Sequence, residues 1–473
     1  MIIIPDSVNH LERMNVVANT KDISPYDKMI KTPVSRLIIT LSIPTIISML
    51  VTNIYNLVDT AFVGRLGTSA SGAVGIVFGF MAIIQAFGFM FGQGSGSVIS
   101  RLLGRRERDK ASLYATTGFF ASFAFGIVIS VVGFIWLDEI VTVLGSTPTI
   151  APFAKTYITY ILIAAPFMSS SLTMNNILRY EGRAALGMVG LMTGAVLNMV
   201  GDPILMFALH MDIAGAGLST ALSQIVSWAI LIGMFLTGRT ETKISLKIAA
   251  KTNFKVFWII VSTGLPSMIR QGLNSTATVV LNYQCAFYGD AAVAAMSIVS
   301  RIIFFAFSVA LGIGQGFQPV AGFNYGAGKY SRLRRGYRFT ILLSGAIIII
   351  GCVFLITFSE NLIYLFRDDA EVVKIGARAL RLQALAQLVM PVCMATEMLF
   401  QCVGKRLSAS IQSSLRSGAI FIPLLIILAN VRGIAGIQEA QPLSFLLSLP
   451  VSIAYAVWFF RTLPKEEDRK SVV

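Results

Sequence analysis

The chain has 473 residues, of which 55% are hydrophobic and only 13% are charged. Its mean hydropathy of +0.75 is too high for a soluble protein, so we expect a polytopic membrane protein. The net charge of +15 does not indicate nucleic-acid binding, because 28 of the 38 Lys and Arg residues fall in alternate connections between apolar segments. The four cysteines have no CxxC spacing and only two histidines are present. We therefore predict no metal cluster, no cofactor and no enzyme activity.

Twelve apolar runs are long enough to cross a membrane as helices, and we number them spans 1 to 12. Residues 1–35 mix charged and polar groups ahead of the first run, so we expect the spans themselves to direct insertion. Spans 1 to 6 lie near residues 35–61, 70–92, 110–137, 153–176, 185–208 and 213–237. Spans 7 to 12 lie near residues 254–282, 291–313, 335–358, 372–397, 407–430 and 438–461.

Basic residues crowd into alternate connections. Five lie between spans 2 and 3 and five more between spans 8 and 9, whereas the opposite connections hold only Arg65, Arg367 and Arg432, with Lys155 and Lys374 at their edges. The positive-inside rule then places both termini in the cytoplasm, and an even number of spans agrees. We expect a multi-pass protein of the bacterial plasma (inner) membrane.

A repeat of 222 residues relates the two halves of the chain. The shift lays Pro44 on Pro266 and Gly104 on Gly326, and it superimposes the tripeptide GQG at 92–94 on its copy at 314–316. Over residues 44 to 104, 13 of 61 positions are identical. Because each half holds six spans, the halves are related by an axis along the membrane normal, and such halves typically enclose a cavity that opens alternately to either side.

The sequence therefore predicts an all-α polytopic membrane protein with twelve transmembrane helices in two six-helix lobes related by a pseudo-two-fold axis along the membrane normal. The predicted domains are a cytoplasmic N-terminal arm at 1–34, an N-terminal lobe at 35–237, a basic cytoplasmic linker at 238–255, a C-terminal lobe at 256–461 and a cytoplasmic tail at 462–473.

Span 1 carries one acid, Asp59, near its outer end, shortly after Asn53, Tyr55 and Asn56. A carboxylate inside a span costs roughly 2.5 to 3.5 kcal/mol on insertion scales, so it usually serves a proton, an ion or a cationic ligand. The alternative is that Asp59 sits at the water interface and ends the helix.

Span 5 carries Asn198 and Asp202 four residues apart, and therefore on one helix face, with Pro203 directly after them. Proline removes a backbone hydrogen bond and can kink the helix beside the acid, whereas the alternative is that Asp202 caps the helix before a loop. Span 6 offers Thr220 at a similar depth. The 222-residue shift places apolar residues at the positions that correspond to Asp59, Asn198, Asp202 and Thr220, namely Leu281, Ile420, Leu424 and Pro442.

Two carboxylates close together in a poorly hydrated cavity cannot both ionise cheaply, so we expect Asp59 and Asp202 to titrate jointly. Such a pair is typical of a proton switch. A sodium ion would use the same oxygens, from Asp59, Asn198, Asp202 and Thr220, because hard cations prefer oxygen ligands. The residues alone leave the coupling ion open between H⁺ and Na⁺.

In the second half, Glu397 is expected at the interface, at the cytoplasmic end of span 10, and Arg301 deeper in span 8. We assign both residues structural roles. The chain also holds 32 Phe and 19 Met, which mostly face lipid or core but also suit a cavity for flat apolar ligands.

Four motifs resemble the multidrug and toxic compound extrusion (MATE) family, and within it the bacterial MepA-like drug efflux transporters. Span 1 ends in NLVDTAFVGRLG, a GQGSG turn follows span 2, its repeat GQGFQPV precedes NYGAGK, and span 5 contains LNMVGDPILM. The resemblance covers roughly residues 30 to 460.

The resemblance implies antiport, in which a small organic, often cationic substrate is expelled while protons or sodium ions enter. It implies an ion or proton network of Asp59, Asn198, Asp202 and Thr220, with Tyr55 and Asn175 nearby. We expect hinges at Pro44 and Pro203, membrane lipid as the surroundings, no nucleic-acid partner and a monomer. Some family members carry further acids in spans 7 and 10, where this chain has only Glu397.

Three alternatives are weighed against antiport. A flippase for a lipid-linked saccharide should have a strongly cationic cavity, which the acids of the first lobe disfavour. A membrane enzyme would need a cluster of His, Cys or other nucleophiles, which the sequence lacks. A passive channel would not need two repeated lobes. The repeat therefore favours a transporter with alternating access.

Overall fold

The computed structural model describes residues 24–464, so the first 23 residues of the predicted arm and the last nine of the predicted tail lie outside it. The described part of the chain consists of helices and short connections. A seven-residue helix, Pro25–Lys31, precedes span 1; Ser24 caps it by accepting a hydrogen bond from the Asp27 amide at 3.1 Å.

Twelve long helical segments follow, six in each half. Spans 1 to 6 are Val34–Gly64, Thr68–Gly104, Arg108–Ile135, Ala151–Tyr180, Ala184–Pro203 with a π-helical extension Ile204–Ala208, and Asp212–Leu236. Spans 7 to 9 are Phe254–Ala286, Asp290–Gly326 and Tyr330–Thr357. Spans 10 to 12 are Ala370–Ala386 continued by Gln387–Val389 and Met390–Val403, then Arg406–Ser414 continued by the π turn Leu415–Ala419 and Phe421–Arg432, and finally Ile434–Thr462.

Ten of these segments are long and apolar enough to cross a membrane by length and composition alone. The two others are span 7, whose middle carries Arg270, Gln271 and Asn274, and span 11, whose helix is broken by its π turn and carries Arg416. These four side chains line a cavity between the lobes, which lowers the hydropathy of both helices. The prediction of an all-α, twelve-helix fold is confirmed.

The glycine cluster GQGSG is not a turn, so that prediction is wrong. Residues 92–96 lie well inside the helix Thr68–Gly104, which runs twelve residues past the predicted end of span 2. Glycine in a membrane helix also permits close helix crossing, because it lacks a Cβ. A Cβ at Gly94 would collide with the Ile260 carbonyl oxygen of span 7 and lie 3.0 Å from the Gly264 nitrogen. The glycines therefore pack helices together and do not end one.

Reciprocal contacts demonstrate the two-fold relation between the halves. A Cβ at Gly104 would collide with the carbonyl oxygen of Phe323, and a Cβ at Gly326 would collide with that of Arg101. The 222-residue shift exchanges Gly104 with Gly326 and Arg101 with Phe323, so each contact is the image of the other.

A second pair of crossings repeats the relation. A Cβ at Gly316 of span 8 would lie 2.7 Å from the Ser42 nitrogen of span 1. The shift maps Gly316 onto Gly94 and Ser42 onto Gly264. Gly94 and Gly264 are the residues that meet where spans 2 and 7 cross. Spans 1 and 2 of the first lobe thus pack on spans 8 and 7 of the second as symmetric partners.

We call the end of the bundle that carries the connections 105–107, 181–183, 327–329 and 404–405 the basic end. Side chains of span 2 tie the two lobes together here. Ser97 Oγ donates to the Gln401 carbonyl at 3.1 Å, and Arg101 Nη1 donates to the Val403 carbonyl at 3.1 Å. The lobes are therefore closed against each other at the basic end.

Candidate functional site

A cavity of about 320 Å³ lies between the lobes, beyond the crossings from the basic end. Its wall comes from spans 1, 2, 4, 5 and 6 of the first lobe and from spans 7, 8 and 11 of the second. Apolar side chains such as Met49, Phe89 and Phe307 alternate with polar ones such as Asn53 and Gln271. Both the size and the mixed lining are typical of a site for a small organic ligand.

Asp59 and Asp202 lie beside this cavity, near the end opposite the basic end. Asp59 is 4% exposed and Asp202 is fully buried, and their carboxyl groups lie next to each other. Span 1 continues to Gly64, so the alternative that Asp59 ends the helix at the interface is wrong.

The alternative for Asp202, a cap before a loop, is also wrong. Pro203 ends the α-helical part of span 5, but the chain stays helical as the π turn Ile204–Ala208. The π turn keeps the chain helical for five more residues, and such turns are frequent at functional sites. Asp202 is thereby held inside the bundle at an irregular point of its helix.

Asn198 links the acid pair to span 6. Its Nδ2 donates to Asp202 Oδ1 at 3.1 Å and lies 3.3 Å from both Ser219 Oγ and Thr220 Oγ1. Ser219 Oγ in turn donates to the backbone carbonyl of Asn198 at 3.3 Å. We call Asp59, Asn198, Asp202, Ser219 and Thr220 the acid network.

Three buried oxygens of the acid network accept no hydrogen bond from the described residues. They are Asp59 Oδ1, Asn198 Oδ1 and Asp202 Oδ2. A buried acceptor without a partner costs about 1 to 3 kcal/mol, and two carboxylates in contact repel each other when both are charged. The arrangement therefore favours uptake of a proton or a small hard cation, because either supplies the missing partner to all-oxygen ligands.

Sequence reasoning missed two members of this region. Ser219 neighbours the predicted Thr220, but adjacent residues on a helix point about 100° apart, so pairing it with Asn198 requires the packing of two helices. Tyr157 of span 4 is 1% exposed and lies beside Thr220. The sequence does place Tyr157 in the outer part of a span, at the depth of the acid network. A single tyrosine at that depth is too common to predict a functional residue.

Tyr55 and Asn175 were predicted near the network. Tyr55 lies one helical turn before Asp59, on the same face, and lines the cavity. Asn175 also lines the cavity, but it lies 18 residues along span 4 from Tyr157, which is about 27 Å of helix. The structure thus brings Tyr55 to the acid network and leaves Asn175 on the distant wall.

The predicted hinges differ in their surroundings. Pro44 lies inside the continuous helix of span 1, where the Ser48 hydroxyl donates back to the Pro44 carbonyl at 2.9 Å and the Thr52 hydroxyl to the Ser48 carbonyl at 2.8 Å. Such back-bonded hydroxyls often bend helices. Pro203 stands at the junction of an α-helix with a π turn.

The prediction that Glu397 is interfacial is wrong, because span 10 continues six residues further to Val403. Glu397 is 2% exposed and pairs with Arg270 at 2.7 Å and Arg416 at 3.0 Å, and Ser413 Oγ donates to it at 2.8 Å. The two arginines come from spans 7 and 11, whose approach the sequence does not reveal. Arg301, expected to be deep, has an exposed side chain.

A family model described as MatE matches residues 44–204 and 266–427, two segments whose starting points are 222 residues apart. The chain belongs to the MatE family. Members of this family are transporters, so the protein is a transporter and not an enzyme. Within residues 24–464 no cluster of three or more His, Cys, Asp or Glu side chains is placed to hold a metal ion.

The relatives agree over nearly the whole chain. The multidrug export protein MepA of Staphylococcus aureus (strain MSSA476) is 26% identical over 408 residues, which cover 86% of this chain and 90% of that protein. MepA of Staphylococcus haemolyticus (strain JCSC1435) is 25% identical over 397 residues, with 84% and 87% covered. A multidrug resistance MATE family transporter solved in an outward-facing conformation superimposes with a TM-score of 0.88 at 25% identity, with 94% and 100% covered. These likenesses do not favour the lipid-flippase alternative.

Proposed function

We propose that the protein is an antiporter that exports organic, often cationic drugs and toxic compounds in exchange for protons or sodium ions. The observation that carries the proposal is the contact between Asp59 and Asp202, two buried acids beside a cavity of ligand size. Multidrug export by the MepA relatives supports drugs as the cargo.

The acid network is the coupling site in this proposal. One proton shared between Asp59 and Asp202, or one sodium ion on their free oxygens and Asn198 Oδ1, removes the repulsion between the carboxylates. Loading would draw spans 1 and 5 together, since each span supplies one acid. The cavity wall contains Tyr55 and Asn198, so such a movement changes the shape that the drug meets.

The lobes would alternate between two orientations. In the orientation described here, contacts at the basic end close the cavity on that side, and an outward-facing relative shares the fold. With the basic end in the cytoplasm, as the positive-inside rule requires, this is the state that releases drug and accepts the ion. The proposal includes a bacterial inner-membrane location, cytoplasmic termini, hinges at Pro44 and Pro203, and a monomer whose lobes are residues 35–237 and 256–461.

A cellular accumulation assay tests the proposal. Cells that express the wild type should retain less ethidium than empty-vector cells, and Asp59→Asn should abolish that difference while reaching the same membrane level. Asp212→Asn is the matched control, because Asp212 lies at the same end of the bundle but is exposed. Full efflux by Asp59→Asn would contradict the proposed coupling site.

A further inference from the structure

Three buried arginines gather at the end of the cavity nearest the lobe crossings. Arg179 of span 4 is 4% exposed, and Arg270 of span 7 and Arg416 of span 11 are each 9% exposed. All three line the cavity. Arg416 stands in the π turn Leu415–Ala419, an irregularity of the kind that recurs at functional sites.

The positive charge of this cluster exceeds the negative charge that the described residues supply. Arg270 and Arg416 share one carboxylate, that of Glu397. Arg179 forms no ion pair within residues 24–464; it donates to the neutral side-chain oxygens of Asn176, at 2.6 Å, and of Gln315. The cluster thus holds three guanidinium groups and one carboxylate, and a buried charge without an opposite charge is expensive.

Two donors of the cluster also lack partners. The Nε atoms of Arg179 and Arg416 are buried and donate to no described residue. Arginine binds carboxylate and phosphate groups with several parallel donors, so arginines that line a cavity and lack a full set of protein acceptors match an oxyanion.

The repeat indicates that Arg179 is not needed to join the lobes. Under the 222-residue shift Arg179 corresponds to Gln401, and its partner Gln315 corresponds to Gln93. On that side Gln401 Nε2 donates to Ser267 Oγ at 2.6 Å, which donates to Gln93 Oε1 at 2.7 Å. Neutral side chains therefore make the same bridge in the symmetric position, and the charge of Arg179 has another role.

We propose that Arg179, Arg270 and Arg416 form a subsite for the carboxylate or phosphate group of an amphipathic substrate, whose apolar body lies against Met49, Phe89 and Phe307. The inference rests on the proposed function, in which this cavity holds the transported molecule. It adds zwitterionic and anionic amphiphiles to the cationic compounds expected from the acid network.

An equilibrium binding experiment on the purified full-length protein in detergent tests the subsite. The probes are rhodamine B, which has a free carboxylate, and its ethyl ester, in which that carboxylate is masked; binding is read by fluorescence anisotropy. We expect the acid to bind at least about tenfold more tightly than the ester, the size of a charge-assisted hydrogen bond. Arg179→Gln and Arg416→Gln should each reduce this ratio, and Arg432→Gln, an exposed arginine of the second lobe, should retain it.

Equal affinities for acid and ester in the wild type would overturn the proposal, and so would an unchanged ratio in both Gln variants. If Arg179→Gln does not fold, two measurements still test the proposal. They are the ratio of acid to ester affinity in the wild type and the same ratio in Arg179→Lys, which keeps the charge and should keep a preference for the acid. Competition by phosphatidylglycerol, and not by diacylglycerol, which has no phosphate, would assign the subsite to a lipid phosphate. The binding experiment uses no ion gradient, so it tests the subsite separately from the proposed function. If the protein prefers the acid but an ion gradient drives no export, the subsite is supported and the proposed function is contradicted.

Discussion

The carboxyl groups of Asp59 and Asp202 contact each other inside the helix bundle, and no ion pair within residues 24–464 involves either of them. Glu397 is the opposite case, because two arginines bind its carboxylate. In the proposed function a mobile proton or cation neutralises the first pair, whereas the charge of Glu397 is neutralised by side chains of the fold. Under that proposal, this contrast separates a coupling site from a structural ion pair.

Because Asp59 and Asp202 form one site, their substitutions should not add. We expect Asp59→Asn and Asp202→Asn each to lower the initial rate of ethidium efflux by about tenfold or more, and the double variant to be no slower than the slower single variant. Efflux rates at matched expression check this. A double variant slower by the product of the single effects would mean that the two acids act independently.

The lobe crossings should tolerate no added methyl group. Gly94→Ala places a Cβ against the Ile260 backbone, and overpacking of this kind costs typically about 1 to 3 kcal/mol. The apparent unfolding midpoint of the purified variant should fall. Gly79→Ala is the control in the same helix, since a Cβ there meets open space and the helix gains up to about 1 kcal/mol of propensity. Equal midpoints for the two variants would refute the close crossing.

We expect Glu181, at the basic end, to make the stability of the protein depend on pH. It follows span 4, outside the membrane-spanning segment, and accepts hydrogen bonds from the backbone amides of Glu241 at 2.9 Å and Thr242 at 3.1 Å, and from the Thr242 hydroxyl. Burial raises the pKa of Glu181 to about 7, although these hydrogen bonds act in the opposite direction.

A raised pKa means that the folded protein holds this proton more tightly than the unfolded chain does. The stability contributed by Glu181 is therefore present below the ordinary glutamate pKa and is lost as the pH rises through about 7. We expect the unfolding midpoint of the wild type to fall more between about pH 5 and pH 8 than that of Glu181→Gln. Glu139→Gln, at an exposed glutamate, should follow the wild type. Parallel curves for wild type and Glu181→Gln would exclude this role.

Two glutamates that each bind two arginines offer a matched comparison of burial. Glu397→Gln leaves Arg270 and Arg416 buried without a counter-charge, so we expect a loss of about 3 to 5 kcal/mol in the free energy of unfolding. Glu439→Gln removes the exposed pairs with Arg378 and Arg432 and should cost about 1 kcal/mol or less.

Denaturant unfolding of both variants measures the difference. Adding Arg416→Gln to Glu397→Gln should restore part of the loss, because it removes one of the unpaired charges. Equal costs at positions 397 and 439 would show that burial of the ion pair has no effect on stability.

The sequence predicted features that depend on one helix or on the repeat. Apolar length located the spans, and the i, i+4 spacing placed Asn198 and Asp202 on one face. The 222-residue shift predicted the two-fold relation of the halves, which the reciprocal contacts of Gly104 and Gly326 display. The sequence could not predict contacts between side chains of different helices, such as Ser219 with Asn198. For the same reason it read residues 92–96 as a turn, because glycine ends helices in loops but also permits close crossings inside a bundle.

The central claim is that Asp59 and Asp202 couple an ion gradient to drug export. Transport by the purified protein in proteoliposomes tests this claim most directly. An imposed proton gradient, or an imposed sodium gradient, should drive ethidium movement against its concentration in the wild type and in Asp212→Asn, and should fail to do so in Asp59→Asn. Gradient-driven movement by Asp59→Asn at the wild-type rate, with protein incorporated at the same level, would contradict the account.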